Sequence, residues 1–272
     1  MPSQKVLIWA KTYPELSTKH TETVCTAGCT EDGKPIRIYP LPLRYLPEEG
    51  KYKLYSWLSA SISPSTGDTR PESHKVAGEL LVGETINTDN CWQARKEVIY
   101  ADTSWHYDCL EDLKAKQKVT KDSLGFVKVG RIERVWIKEK TQEEIDSHWE
   151  KLRELQSQLR LFEPEVRNLE PQTFRIHVKW YCQRMEGEAA CPGHTAGILD
   201  WGLGELGRRR GAEVARQKMI DLSDLTRYDL AFFVGNFKAH QGSFGIIGLW
   251  YPMHPKEKPV KQLPPTSQLN LF

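Results

Sequence analysis

Apolar and polar residues alternate in short runs over residues 5–75, and this alternation predicts β-strands. Segments rich in turn-forming residues, EDGKP, LPEEGK and SPSTGD, separate the runs. The predicted strands cover residues 5–10, 22–29, 35–39 and 56–62. Strands of this length and spacing are typical of a small barrel or sandwich.

The spacing of apolar residues becomes helical further along the chain. Residues 104–118 have helical spacing, and residues 125–140 predict two strands around Val-Gly-Arg. Residues 141–161 predict a long helix, because Thr141 can cap it, Glu144 lies three residues later, and apolar residues then recur every three or four positions.

A second unit is predicted at residues 174–253, after a linker that contains two prolines. Its strands are expected at 174–182, 230–234 and 244–251, and its helices at 199–210 and 212–222. Residues 254–272 hold four prolines and few core-forming residues, which predicts an extended tail.

Composition narrows the class of protein. The chain has 272 residues, of which 39% are hydrophobic, so a wholly disordered protein is excluded. No apolar run approaches the ~18 residues of a membrane span, and the N-terminal KVLIWAKTY predicts a strand and not a signal peptide. We therefore expect a cytoplasmic, nucleoid-associated protein without a membrane partner. The net charge of +2 neither indicates nor excludes binding to nucleic acid, because a local cluster of positive charge matters more for such binding than the net charge of the chain.

The tail ends in QLNLF, an unusual apolar sequence for an extended segment. It resembles the bacterial sliding-clamp-binding motif, whose pattern is Gln-Leu-x-Leu-Phe. The resemblance implies that the chain binds the replication sliding clamp through a few buried side chains. These partner-binding residues are Gln268, Leu269, Leu271 and Phe272.

A second copy of this pattern, QLRLF, lies inside the chain, at the end of the predicted long helix. Two interpretations stay open for it. It can pack on the protein's own core, or it can make a second clamp contact that adds avidity. The residues concerned are Gln158, Leu159, Leu161 and Phe162.

Cysteine and histidine cluster in the second unit as Cys-x8-Cys-x2-His, formed by Cys182, Cys191 and His194. Thiolate and imidazole are ligands that Zn²⁺ prefers, so the spacing predicts a zinc site. A structural role for the ion is favoured over a catalytic role. The alternative is two buried thiols and a bonded histidine. The fourth ligand stays open among a water and Asp200, Cys25, Cys29, Cys91 and Cys109.

Basic residues interleave with aromatic residues in the first half, and a second basic run, RRR, lies in the second unit. Cations neutralise phosphates and exposed rings stack on bases, so these residues are candidates for contact with DNA. The alternative is a core of rings under an ordinary solvated surface. The candidates are Lys11, Lys19, Arg37, Arg44, Arg70, Arg208, Arg209 and Arg210.

Catalytic signatures are scarce. There is no GxSxG, no Walker motif and no HExxH. Asp200 and Glu205 are weak candidates for metal-dependent phosphodiester chemistry, and Asp200 is more simply interpreted as the N-cap of the next helix. Whether the protein is an enzyme therefore stays open.

Long stretches of the chain, among them AKTYPELSTKHTETVCTAG, IRIYPLPLR, SLGFVKVGRI and FFVGNFKAHQGSFGIIGLWYP, are similar to a group of uncharacterised bacterial proteins with dual OB-like domains. The resemblance implies OB-like barrels and no activity. The expected fold is α+β, with N-terminal OB-like β-barrel domains, a bridging helix and a C-terminal mixed α/β unit with the Cys/His cluster. The expected segments are 1–75, 76–141, 142–173, 174–253 and 254–272.

These features together predict a DNA-binding protein recruited to the sliding clamp. It would act in DNA repair, in transposition of mobile elements or in antiviral defence against foreign DNA. Two alternatives stay open: a metal-dependent nuclease acting on DNA or RNA, and a non-catalytic scaffold subunit of a nucleoprotein complex.

Overall fold

A computed structural model describes residues 3–41, 43–158, 166–184 and 190–255. The protein is mostly β, with two curled sheets that pack against each other. The first half contributes β1 (Ser3–Lys11), β2 (Glu15–Ser17), β3 (Thr21–Thr30), β4 (Pro35–Leu41), β5 (Ser56–Pro64), β6 (Ser73–Thr85) and helix α1 (Asp89–Ile99). The four strands predicted in this half are confirmed as β1, β3, β4 and β5.

The second half follows α1 and contains most of the helices. Its elements are β7 (His106–Tyr107), α2 (Leu110–Thr120), β8 (Leu124–Glu139), α3 (Gln142–Ser157), β9 (Phe174–Cys182), β10 (His194–Gly197), α4 (Trp201–Arg210), α5 (Ala212–Leu222), β11 (Ala231–Phe237) and β12 (His240–Trp250). None of the described helices is long and apolar enough to cross a membrane.

The first sheet closes on itself, because β1 pairs with both β3 and β5. Around the closed sheet the order is β1, β5, β6, β4, β3 and back to β1, with β4 and β6 as the parallel pair. Side chains that point inward form one apolar core, for example Val6, Ile8 and Ile38. The period of two along each strand sends the intervening residues, such as Leu7 and Trp9, to the outer face.

The second sheet repeats this connectivity. Its order is β10, β9, β8, β11, β12, and a parallel bridge between Ile198 and Ile246 brings the two ends together. When the short strands β2 and β7 are not counted, the first strand of each half lies between the second and the fourth, and the third approaches the fifth in parallel. The second core lies inside this half-barrel, beneath α4 and α5.

The two halves share a third core, made by the outer faces of β1 and β3 against β8, β11 and β12. Trp9 stacks on Phe233, with ring centroids 4.3 Å apart, and on Trp105, at 5.5 Å. Buried polar groups also cross this junction. The Glu72 carboxylate accepts hydrogen bonds from the Ser123 amide at 2.7 Å and the Ser123 hydroxyl at 2.9 Å.

Helix α3 connects β8 to β9 and reaches back to the first half. The predicted capping box is confirmed, since the Thr141 hydroxyl accepts from the Glu144 amide at 3.2 Å and the Glu144 carboxylate accepts from the Thr141 amide at 2.8 Å. The buried residues Leu152 and Leu155 pack with Leu16 of β2 in a small separate core. The predicted helix is therefore confirmed, but it connects two paired strands of one sheet and not two separate domains.

Two expectations about the middle of the chain need correction. The predicted turn at Val-Gly-Arg is wrong, because β8 runs through it as one strand of 16 residues with a register shift there. A Cβ at Gly130 would lie 2.4 Å from the Cys182 carbonyl oxygen, so glycine permits this close approach. The chain also does not divide at 75 and 141: residues 76–85 complete β6, and β8 shares a sheet with β9–β12.

Candidate metal centre and nucleic-acid interface

Four buried side chains converge at one end of the second half: Cys109, Cys182, Cys191 and His194. Their ligand atoms all lie within 4.8 Å of one another. His194 Nε2 is 3.2 Å from Cys191 Sγ and 3.8 Å from Cys109 Sγ. The structure therefore brings together the three predicted ligands and selects Cys109 as the fourth.

Separate elements supply these four residues. Cys109 precedes α2, Cys182 ends β9, Cys191 lies between β9 and β10, and His194 begins β10. The Leu110 amide, at the start of α2, donates to Cys182 Sγ at 3.3 Å, and this contact favours a thiolate.

The donor set fits a tetrahedral metal. With Zn–S bonds of about 2.3 Å and Zn–N bonds of about 2.0 Å, the donors of such a site lie roughly 3.4–3.8 Å apart. The ligand atoms, which all lie within 4.8 Å of one another, reach these values through small shifts. His194 Nδ1 is 3.6 Å from Glu111 Oε1, so a carboxylate stands behind the imidazole, as is usual at zinc sites.

Burial sets the protonation of the metal-free cluster. It raises the pKa of the Cys109 and Cys182 thiols and lowers the pKa of the His194 imidazole. The imidazole is thus neutral and ready to donate its lone pair, whereas the thiols release protons when a cation binds. The four residues can hold a metal ion.

The other cysteines do not join this group. Cys29 lies in the core between the halves, and Cys25 Sγ accepts a contact from the Arg37 guanidinium at 3.1 Å. Cys91 is half-buried in α1. Within the described ranges, Cys109, Cys182, Cys191 and His194 are the group that meets the geometry of a metal site.

A basic and aromatic surface lies on the outer side of β8 and β9, and we call it the β8–β9 face. Strand β9 alternates strictly, with buried residues at Phe174, Ile176 and every second position to Cys182. The intervening positions are half-buried and point outward; they are Arg175, His177, Lys179 and Tyr181.

Strand β8 places similar residues directly opposite these four. The cross-strand pairs are Lys138 with Arg175, Trp136 with His177, Arg134 with Lys179, and Arg131 with Tyr181. The Trp136 and His177 rings lie 5.5 Å apart with 32° between their planes. The Arg131 guanidinium lies 4.2 Å from the centre of the Tyr181 ring, and that of Arg134 lies 5.4 Å from the Trp136 ring.

One carboxylate interrupts the positive charge of the β8–β9 face. Glu133 accepts from Lys179 at 2.7 Å and from the Tyr181 hydroxyl at 2.9 Å, which holds both side chains in place. Burial, with the nearby charges of Arg175 and Lys138, lowers the pKa of His177, so its ring is neutral at pH 7. The face therefore carries five cations and one carboxylate, with aromatic rings between them.

The metal-ligand cluster lies at one end of this face. Tyr181 immediately precedes Cys182, and His194 pairs with Trp180 across β9 and β10. A metal bound there would fix the end of the β9–β10 hairpin against α2. The backbone of β9 thus links the cluster to the β8–β9 face, so a metal ion at the cluster would also hold the side chains of that face in position.

The predicted DNA contacts of the first half have other roles. Arg37 and Arg70 are 3% and 5% exposed, so they are not available to a phosphate. Arg37 donates to Ser123 Oγ at 3.1 Å, and Arg70 donates to the Asn236 carbonyl at 2.9 Å. Both arginines join the two halves, because a buried guanidinium must find acceptors.

The remaining predicted contacts are more exposed but mostly paired. Lys11 donates to the Tyr52 carbonyl at 3.0 Å, and Arg44 binds Glu22 at 2.8 Å. Glu205 pairs with both Arg208 and Arg209 through contacts of 2.8 and 2.5 Å. Lys19 and Arg210 are exposed.

The weak catalytic candidates are not brought together as a metal site. Asp200 is the N-cap of α4, as the simpler interpretation has it, and its Oδ1 accepts from the Leu203 amide at 2.8 Å. Burial raises the pKa of Asp200 to about 6. Glu205 is held by the two arginines, which lower its pKa to about 2. These contacts explain both carboxylates without catalysis.

Most of the clamp-motif residues lie outside the described residues. This holds for Gln268, Leu269, Leu271 and Phe272, and for Leu159, Leu161 and Phe162 of the inner copy. Gln158 is described, and it is the exposed C-cap residue of α3.

Two family models match the chain. Residues 106–272 match "Domain of unknown function (DUF8757)", which covers more than half of the sequence, and residues 2–101 match "Domain of unknown function (DUF8758)". The chain belongs to the DUF8757 family. The DUF8757 match begins at β7, where the second half of the structure begins, and it contains both the metal-ligand cluster and the β8–β9 face.

No curated protein matches the chain. One solved structure, described as "Structure of murine DNA binding protein bound with ds DNA", is 9% identical to it and aligns over 95% of this chain and 98% of the other. The TM-score is 0.28, which is too low to support a shared fold or a shared ligand.

Proposed function

We propose that this protein binds single-stranded DNA on the β8–β9 face and is recruited to the replication sliding clamp by Gln268–Phe272. The observation that carries the DNA-binding part is the ladder of four cross-strand pairs, in which cations alternate with rings on one exposed surface. Cations neutralise phosphates and rings stack on bases, and this combination is typical of sites for single strands.

The connectivity of the two sheets supports an OB-like interpretation of both halves. An OB-fold is a five-stranded Greek-key barrel that binds oligonucleotides on its second and third strands. In the second half these strands are β9 and β10. The basic and aromatic residues of β9 thus lie where an OB-like barrel would present them to a ligand.

The clamp part rests on the sequence of the tail. QLNLF matches the pattern of the clamp-binding motif at every fixed position. A protein with a DNA-binding surface and a clamp tether would act where DNA is replicated, in repair, transposition or defence against foreign DNA. A scaffold role without chemistry agrees with the same two features.

We also propose that Cys109, Cys182, Cys191 and His194 bind a structural Zn²⁺. Three thiolates and one imidazole are a usual ligand set for structural zinc, and all four residues are buried. A buried site with four protein ligands leaves no position open for a substrate. The ion would stabilise the second half and keep the β8–β9 face in order.

The test of DNA binding is fluorescence anisotropy with a single-stranded oligonucleotide, its duplex and an RNA of the same sequence, over a range of salt. The variant Lys138→Gln/Arg175→Gln removes two cations of one cross-strand pair. We expect about tenfold weaker binding. The salt slope should become smaller by roughly 1.4, because each cation that neutralises a phosphate of a single strand contributes about 0.7 to it.

The matched control is Lys118→Gln/Lys121→Gln, which removes the same charge from exposed positions at the end of α2. It should bind like the unmodified protein. If both variants bind DNA equally weakly, the loss of affinity comes from the lower overall charge and not from the β8–β9 face. Unchanged binding in the Lys138/Arg175 variant would overturn the proposed interface.

The test of clamp recruitment compares clamp binding by the intact protein and by Leu271→Ala/Phe272→Ala. The anchors carry most of the binding energy of such a motif, so the variant should lose measurable affinity. Pro264→Ala/Pro265→Ala, in the same tail, is the control and should bind normally. If the Leu271/Phe272 variant keeps its affinity for the clamp, the proposed recruitment by Gln268–Phe272 is wrong, and the DNA result is unaffected.

A further inference from the structure

A cleft of about 450 Å³ lies where the first half meets the segment before β9 and the start of α4. Its volume falls in the range of small-molecule sites, about 300–1,000 Å³. The lining residues are Leu43, Arg44, Lys51, Tyr52, Arg167, Asn168 and Trp201. None of them belongs to the β8–β9 face or to the metal-ligand cluster.

The floor of the cleft is apolar and aromatic. Leu43 and Tyr52 are nearly fully buried, and Trp201 is half-buried. Lys11 is packed between the two rings, with its Nζ 5.2 Å from the centre of each. Of the two rings, Trp201 is therefore the one with surface that a ligand can contact.

The rim of the cleft is cationic. It carries Arg44, Lys51 and Arg167, and no carboxylate is among the lining residues. Arg44 is held rigidly, because it donates to Glu22 at 2.8 Å, to the Asn168 carbonyl at 2.8 Å and to the Arg167 carbonyl at 3.2 Å. These bonds use three of its five N–H groups, and two are left for a ligand.

Nearby carboxylates offset two of the three rim cations. Glu22 is buried and committed to Arg44. Glu48 is highly exposed and pairs with Lys51, an arrangement that a stronger anion can displace. The Arg167 guanidinium lies 5.2 Å from the centre of the Tyr45 ring and donates to the Arg44 carbonyl, so it is the rim cation without an ion pair among the described residues.

We infer that this cleft binds a nucleoside phosphate. The half-buried Trp201 ring can accept a flat base by stacking, and a rim of arginine and lysine side chains accepts a phosphate. A ligand with only one of these parts would contact either the Trp201 ring or the rim cations, but not both. The inference goes beyond the proposed DNA-binding face, since the two sites share no residue.

The test is equilibrium dialysis of the full chain against a purine and a pyrimidine nucleoside triphosphate, the matching monophosphates and nucleosides, and inorganic phosphate. We expect nucleotides to bind at least tenfold more tightly than either the nucleoside or inorganic phosphate. Binding of phosphate as strong as that of nucleotide would overturn the inference, and so would the absence of nucleotide binding at millimolar concentration.

Two variants locate the site. Arg167→Gln should weaken nucleotide binding about tenfold, and Arg167→Lys should restore part of it, because the charge remains. Lys118→Gln is the charge-matched control and should change nothing. An unchanged nucleotide affinity in Arg167→Gln, with an unchanged melting temperature, would place any bound nucleotide elsewhere.

The β8–β9 face provides the independent comparison. Arg167→Gln should leave anisotropy with single-stranded DNA unaltered, and Lys138→Gln/Arg175→Gln should leave nucleotide binding unaltered. A loss of both activities in either variant would mean that one shared site exists, and the inference of a separate cleft site would fail.

Discussion

Cys109 Sγ lies 3.8 Å from His194 Nε2, although 85 positions separate the two residues in the chain. The contact joins the start of α2, which precedes the first long strand of the second half, to the hairpin formed by its next two strands. A metal ion at this point would therefore fasten three consecutive parts of the fold together.

Loss of a metal ligand should destabilise the second half. We expect His194→Ala to lower the bound zinc from one per chain to none and to reduce the melting temperature by roughly 6–12 °C, for a loss of about 3 kcal/mol. The checks are metal analysis and calorimetry. Cys29→Ser, a buried cysteine outside the cluster, should keep the zinc, and zinc retained by the His194 variant would contradict the ligand assignment.

Chelation should act on DNA binding through the backbone of β9. Removing the metal leaves the β8–β9 face chemically intact but frees the hairpin end that follows Tyr181. We expect single-stranded DNA affinity to fall several-fold with EDTA and to return when Zn²⁺ is added, measured by anisotropy. DNA affinity that is insensitive to a verified loss of zinc would separate the two sites.

The ring pair on the β8–β9 face should contribute by stacking. Trp136→Ala is expected to cost about 1–3 kcal/mol of binding to single-stranded DNA, roughly fivefold to more than a hundredfold in affinity. Phe237, which is 41% exposed on β11, offers a matched control as Phe237→Ala. Equal effects of the two substitutions would argue against specific stacking at Trp136.

Asp200 should make stability depend on pH. Its pKa is raised to about 6 by burial, so between about pH 4 and pH 6 the unfolded chain loses this proton first. The native state then binds more protons than the unfolded state, and stability falls as pH rises through this window. Asp200→Asn keeps the cap and removes the titration, so its urea stability at pH 8 should exceed that of the unmodified protein by about 1–3 kcal/mol.

The sign of the difference in stability between Asp200→Asn and the unmodified protein tests whether the charged Asp200 carboxylate is unfavourable in the folded state. At about pH 3 the two proteins should have nearly equal stability, because the carboxyl group is then mostly protonated in both the folded and the unfolded chain. If Asp200→Asn were instead less stable at pH 8, the charged carboxylate would be favourable in place, and Lys11 would be its effective partner.

The junction between the halves should depend on Glu72. Its carboxylate accepts bonds from the Ser123 amide, the Ser123 hydroxyl and the Leu124 amide, and all three donors are buried. Glu72→Ala leaves them without acceptors and should cost about 2–4 kcal/mol, measured by urea unfolding. Glu79→Ala, at an exposed position of β6, should change stability by less than about 0.5 kcal/mol.

The sequence predicted most elements because their signals are local. Alternation located β1, β3, β4, β5 and β9, and the capping box at Thr141 located the start of α3. The predicted turn at Gly130 failed for a tertiary reason: glycine lies there because the Cys182 carbonyl comes close, and not because the chain reverses.

The site was only partly predictable. Cys182, Cys191 and His194 are close in sequence, but nothing local marks Cys109 among six cysteines. The alternation in FRIHVKWYC was visible, and it predicts an outer face on β9. It does not tell whether that face meets solvent or the other half, because this depends on how the two sheets pack.

Because the two halves share one strand connectivity, equivalent strands of the two halves can be compared directly. Strand β3 of the first half corresponds by its place in the sheet to β9 of the second. On β3 the outer positions include Ala27 and Cys29, small residues pressed against the neighbouring half; on β9 they are Arg175, His177, Lys179 and Tyr181. The same strand connectivity thus occurs twice in the chain. The outer surface of this strand packs against the other half in the first copy and faces outward, as the proposed binding surface, in the second.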